Sequence, residues 1–194
     1  MNIKRILLIG VVILLAIYGI NSYNSLVDKE EMVKQRWSQV ENQYQRRADL
    51  IPNLVNTVKG AADFEQETLT SVIEARSKAT SVQMSPEMLG NQQKFQQFSQ
   101  AQSQLSGALS RLLVSVERYP ELKANQNFRD LQNQLEGTEN RIAVERDRYN
   151  RAARDYNSAI RRFPTNIFAG LFGFDNKAYF EADQGAEDAP EVQF

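Results

Sequence analysis

The chain has 194 residues, with 23 basic against 24 acidic side chains and neither Cys nor His. That length suits one domain, and the balanced charge gives no overall attraction to nucleic acid. Without Cys or His, one copy cannot build a disulfide framework, a thiolate- or imidazole-held zinc, a Ser-His-Asp triad or a Glu-x-x-His di-iron site. Gln is abundant, Gly and Pro are scarce, and β-branched alternation is missing. The profile predicts an all-α protein.

Lys4 and Arg5 precede an apolar run from Ile6 through Leu14 to Ile20, and no charge follows until Asp28. Residues 6–27 therefore offer about 22 uncharged positions, enough for a hydrocarbon core of ~30 Å. Asn21, Ser22 and Tyr23 follow the apolar run and make a poor small-x-small cleavage site, so a retained transmembrane helix is expected in place of a signal peptide. The closer basic flank is the short N-terminal segment 1–5. By the positive-inside rule it puts the bulk of the chain outside the cytoplasm, with the cytoplasmic orientation as the alternative.

A first long helix is expected from near Leu26 toward Lys59. Val33, Trp37, Val40, Tyr44, Ile51, Leu54 and Val58 step by three and four along one face, with Arg47 on the same seam. Pro52 is expected to kink or end this helix. Asp63 and Gln66 suggest a capping box for a shorter second helix to about Ala79, carrying Leu69, Val72, Ile73 and Arg76. Ser85-Pro86-Glu87 signals the start of a third helix, with Phe95, Phe98, Gln102, Leu105, Leu109, Leu112, Val116 and Tyr119 on its seam, ended by Pro120.

The first half of that helix, from Gln92 to Gln102, is Gln-rich and nearly low-complexity. It reads as a solvated face or as a polar seam between subunits. A fourth helix from Asn125 or Asn127 carries Phe128, Leu131, Leu135, Thr138, Ile142, Glu145, Tyr149, Ala152, Tyr156, Ala159 and Phe163 at heptad spacing, until Pro164. Its remaining faces alternate Arg with acids, such as Asp147, Arg151 and Asp155, which breaks up any basic stripe for nucleic acid. An apolar tail, 166–181, is expected to pack on the bundle or dip into the membrane. The acidic end, 182–194, is expected to be disordered. The fold so read is an N-terminal transmembrane helix followed by an antiparallel, up-and-down four-helix bundle of long helices over 28–165.

With these residues in view, the chain resembles the LemA family over nearly everything after residue 22. The match rests on Tyr23-Asn24-Ser25-Leu26-Val27, Val33 and Trp37, and on Arg47-x-Asp49-Leu50-Ile51-Pro52-Asn53-Leu54-Val55. It continues through Ala75-Arg76, the block Glu117 to Asn125, Leu131-Gln132 and Leu135 to Ile142. Arg146, Tyr149-Asn150, Tyr156-Asn157 and Phe163-Pro164 complete it. The resemblance implies a single-pass protein of the bacterial inner (cytoplasmic) membrane with a helical-bundle domain, and relatives among magnetosome proteins. It implies no catalytic residue, cofactor or metal.

The candidate structural or interaction residues are Arg47, Asp49, Pro52, Asn53, Glu139, Arg141 and Glu145. An Arg within an apolar seam needs a well-placed carboxylate, and the expected partner is Glu139 or Glu145 across the bundle. The expected partners of the whole protein are the lipid bilayer and further copies of itself, with another envelope membrane protein as a third. Neither nucleic acid nor a small-molecule substrate is expected. The function this supports is a non-catalytic, self-assembling scaffold of the cell envelope; the alternative is a sensor or adaptor that presents partners to a membrane protease or kinase.

Overall fold

The computed structural model describes residues 3–60, 65–82 and 85–181, and within them every regular element is a helix. The first helix, α1 (Ile3–Lys59), runs 57 residues without a break from the apolar N-terminal window into the core. Pro52 does not end it but lies exposed within it. Lacking an N–H, Pro52 leaves the Ala48 carbonyl without its donor one turn on. Arg76, from α2 (Gln66–Ser81), donates its Nε to that oxygen at 2.8 Å. The vacancy in α1 is filled from outside it.

The expected Asp63–Gln66 capping box falls on Asp63, outside the described residues. α2 starts at Gln66 after Glu65, whose side chain makes no cap. The Ser85-Pro86-Glu87 signal opens only a 3-10 turn, Pro86–Gly90. Asn91 then caps α3 (Gln92–Val116), its Oδ1 accepting from the Lys94 N–H at 3.0 Å. Pro120, expected to end that helix, instead opens a short one, α4 (Pro120–Ala124). Asn125 caps α5 (Gln126–Arg161), accepting from the Phe128 N–H at 3.2 Å. After it comes α6 (Thr165–Phe172), closed by Gly173 in the left-handed region at φ 75°.

α1 packs closest along α5, and α2 along α3. The chains in each pair run in opposite directions: Trp37 meets Tyr149 and Arg47 meets Glu139 in the first. Glu65 meets Ser115 and Ala79 meets Gln102 in the second. Because α2 ends at Ser81, beside Gln102, it covers only the half of α1 distant from the apolar window. The seam positions expected on α1 and α3 are buried as far as Val58 and Val116.

On α5 the expected heptad drifts. Ala153, Asn157 and Ile160 are buried while Ala152 and Ala159 are half-buried, and Phe163 is 81% exposed. A straight helix turns slightly away from a seven-residue repeat with each heptad, and Phe163 lies beyond the last turn of α5.

Candidate functional site

Buried apolar side chains form two groups. The anchor-proximal group contains Trp37, Tyr44, Phe95, Phe98, Tyr149 and Tyr156; the distal group is aliphatic apart from Phe128. Arg47, Gln102 and Thr138, all buried, lie between them. On each helix the polar residue falls one turn from members of both groups: Tyr44 and Ile51 flank Arg47, Phe98 and Leu105 flank Gln102, and Leu135 and Ile142 flank Thr138. The molecule has a polar layer across its middle.

Arg47 is 1% exposed, so its charge must be met internally. Its Nη1 donates to Glu139 and to Ser106, each at 2.7 Å. Its Nη2 donates to the Gln102 side chain at 2.5 Å and the Gln102 carbonyl at 3.3 Å. The guanidinium also lies 5.1 Å from the Tyr44 ring centroid. Gln102 passes the link on, donating Nε2 to the Ala79 carbonyl of α2 at 3.3 Å. One side chain of α1 thereby touches α3 and α5 directly and α2 through Gln102.

Of the two carboxylates expected for Arg47, the structure places Glu139 there and not Glu145. Glu145 lies six residues further along α5, about 9 Å of rise, and pairs with Arg148 at 2.7 Å. Arg141, Asp49, Pro52 and Asn53 are exposed. The Asn53 carbonyl accepts from Thr57 Oγ1 at 2.9 Å, within the same helix. Those four are not drawn into the Arg47 layer.

The second polar system was not apparent from periodicity. After Gly173 the chain runs without helix to Glu181 as a strap along α5. Asn157 donates to the Lys177 carbonyl and accepts from the Lys177 N–H, both at 2.8 Å. Asn150 does the same to Phe180, at 2.8 and 2.9 Å. Each amide satisfies a backbone donor and acceptor together, as a neighbouring strand would. The spacing explains the register: seven helical residues rise about 10.5 Å, close to the ~10 Å of three extended residues. Asn157 and Asn150 on one face of α5 therefore meet strap residues 177 and 180.

Side chains fix the strap further. Phe180 enters the aromatic group, its ring centroid 4.7 Å from Phe95 and 5.6 Å from Tyr149. Lys177 Nζ pairs with Glu30 of α1 at 2.6 Å, and Ala178 donates its N–H to the Leu89 carbonyl at 2.8 Å. The Tyr149 hydroxyl donates to the Ala178 carbonyl at 2.9 Å. Burial pushes the Tyr149 phenol well above its usual range, and burial does the same to Tyr156, helped by the nearby Glu30 and Asp175 charges. Both stay neutral, so Tyr149 acts as a hydrogen-bond donor. The signal that could have found this site is the Tyr-Asn pair repeated seven residues apart, Tyr149-Asn150 and Tyr156-Asn157.

Beyond Phe180 a cleft of about 760 Å³ continues between α3 and α5, lined by Gln and Ser side chains and reaching Arg47 and Glu139. Among the described residues, no group of three or more acidic side chains could hold a metal ion.

Together these features define an all-helical protein, with one helix at its N-terminus long and apolar enough to cross a membrane. The model of the LemA family matches residues 36–194, and the chain belongs to that family. It is similar to Protein LemA of Metamycoplasma hominis, 25% identical over 164 residues, covering 83% of this chain and 69% of that protein. It is also similar to Magnetosome proteins MamQ 2 and MamQ 1 of Paramagnetospirillum magneticum, each 26% identical over 184 residues, covering 87% of this chain and 67% of the relative.

Proposed function

We propose that this protein is a non-catalytic scaffold of the bacterial cell envelope, held in the inner membrane by a single pass and assembled from several copies. Residues 28–165 serve as an up-and-down four-helix bundle, and the bundle stands on the periplasmic side, as the basic N-terminal flank favours. The observation that carries this reading is the continuity of α1, in which the apolar window and the seam that organises the core are one helix. Such a rod fixes the bundle rigidly to the bilayer. Arg47, Gln102, Asn150 and Asn157 are engaged in tying helices together or holding the strap, which suits a load-bearing part better than a reaction centre.

Self-assembly draws support from the face of α3, where Gln92, Gln93, Gln96, Gln97 and Gln100 are exposed in a row and can exchange amide hydrogen bonds with another copy. The relatives named as magnetosome proteins fit a membrane-associated part. Electron microscopy of the full-length protein extracted in detergent tests the reading. A particle of many copies is expected, whereas a single copy bound stoichiometrically to a foreign protein contradicts it. That second outcome belongs to the adaptor reading, which the open polar cleft beside the strap favours.

A further inference from the structure

We propose that α6 is a second membrane contact, lying in the interface beside α1 with its outer face among the acyl chains. This rests on the reading of α1 as a membrane-spanning helix and goes beyond it, because it assigns a lipid-binding surface to a different element.

α6 has two faces. One meets α1: Phe168 packs so closely on Gly19 that a Cβ there would fall 2.8 Å from the ring, and Tyr23 meets Phe172 at 5.1 Å between centroids. The other face carries Phe163 just ahead of the helix, then Ile167 and Leu171, spaced four apart. They are 81%, 59% and 74% exposed. Large apolar side chains gathered on one face of an eight-residue helix mark a binding surface.

Its position says what covers that surface. The residues of α1 that α6 touches, Tyr18, Gly19 and Tyr23, fall at the inner end of the exposed apolar window. From Ile6 to Ile20 that window rises about 21 Å, and the stems of Lys4 and Arg5 extend it toward the ~30 Å of a hydrocarbon core. Two residues further on, Ser22 is buried by the protein, as is Leu26. The acyl region thus ends where α6 lies, and the outer face of α6 is continuous with lipid-facing α1. Tyr18 and Tyr23 occupy the level that interfacial tyrosines prefer. Arg161 and Arg162, exposed just before α6, can reach headgroups while their stems stay in the boundary. A second contact beside the spanning helix would fix the angle at which the bundle stands on the membrane.

The natural chain contains no Cys, so spin labels on single cysteines test this in the full-length protein reconstituted in phosphatidylethanolamine–phosphatidylglycerol nanodiscs. Leu14→Cys, Ile167→Cys, Leu171→Cys and Val114→Cys are compared by accessibility to oxygen and to a water-soluble nickel chelate. The expected order has Leu14 deepest, Ile167 and Leu171 shallow but oxygen-favoured, and Val114 in water. Labels on α6 that match Val114 while Leu14 remains deep would overturn the inference and leave the anchor standing. Labels on α6 shielded from both reagents would assign the surface to a protein contact, also overturning it. A Leu14 label in water would remove both the anchor and the inference.

Discussion

The two halves of the helical body solve the same packing problem differently. In the distal half, α2 and α3 close over α1 and α5, and aliphatic side chains such as Leu54, Val58, Val72, Leu109 and Leu112 fill the space. In the anchor-proximal half α2 has ended, so among the described residues no helix stands where its continuation would run. There the 3-10 turn brings Met88 and Leu89, the strap brings Phe180, and large rings fill the width. An irregular segment can be buried only if its backbone polar groups find partners, which is what Asn150, Asn157 and Tyr149 supply. The comparison teaches that the proximal core is assembled from both ends of the chain, while the distal core needs only helix pairing. The Arg47 layer sits at the change from one to the other.

The largest disturbance should come from that layer. Arg47→Ala leaves Glu139 and Gln102 without their shared donor and should lower stability by about 3–5 kcal/mol, as breaking a buried ion pair does. Glu139→Ala should cost a comparable amount, because it leaves the buried Arg47 guanidinium without its carboxylate. Denaturant unfolding of both single variants and the double should show losses well short of additive; additive losses would mean that the pair is not coupled.

Next in size is Phe180→Ala, which removes a ring from the proximal core alone. A loss of about 3 kcal/mol is expected from aromatic truncation. Hydrogen exchange should localise it, with amides 177 and 180 exposed and those of the distal half unchanged. Asn157→Ala, leaving the Lys177 N–H and carbonyl without their partner, should cost about 1–3 kcal/mol with the same localised pattern. Uniform loss of protection over both halves would show that they do not differ as described.

Two smaller effects probe the distal half. Arg76→Ala should weaken α1 around Ala48 by about 1 kcal/mol, and Pro52→Ala should abolish most of that sensitivity by restoring the helical donor. A double-mutant cycle without coupling would contradict the repair of α1 by α2. The smallest concerns Glu65, exposed at the start of α2. Its carboxyl is held below the usual range by hydrogen bonds from Ser115 and Thr68, with Arg118 adding to it. Its contribution is therefore present above the ordinary Glu value and is lost as pH falls through the lowered, folded-state value. Glu65→Gln should flatten the acid limb of the melting temperature against pH, and an unchanged limb would exclude this role.

The seam of α1 was legible because burial on one face imposes a three-and-four spacing, and the same rule marked Arg47 as a buried charge in need of a carboxylate. Periodicity on its own left Glu139 and Glu145 equivalent, because it reports the face of α5 and not the level at which α1 crosses it. Pro52 does not end the helix, and the donor that compensates for it, Arg76, is supplied by another helix that local spacing does not report. The tail was expected on the bundle or the membrane, but the register of the strap on α5 lay outside reach for a related reason. Asn150 and Asn157 look like ordinary polar positions until an extended segment with no repeat of its own is placed against them. Local spacing reveals which side chains turn inward; contacts made by irregular backbone across long separations leave little trace in it.

The claim on which the rest stands is that α1 is one rigid rod from bilayer to core. Spin labels at Leu14→Cys and Arg46→Cys, in a chain diluted with unlabelled copies in nanodiscs, measure it by pulsed dipolar spectroscopy. Thirty-two helical residues separate the sites, so a narrow distribution centred at about 48 Å is expected. A broad distribution, or one centred well below that distance, would show a joint between anchor and body and contradict the account.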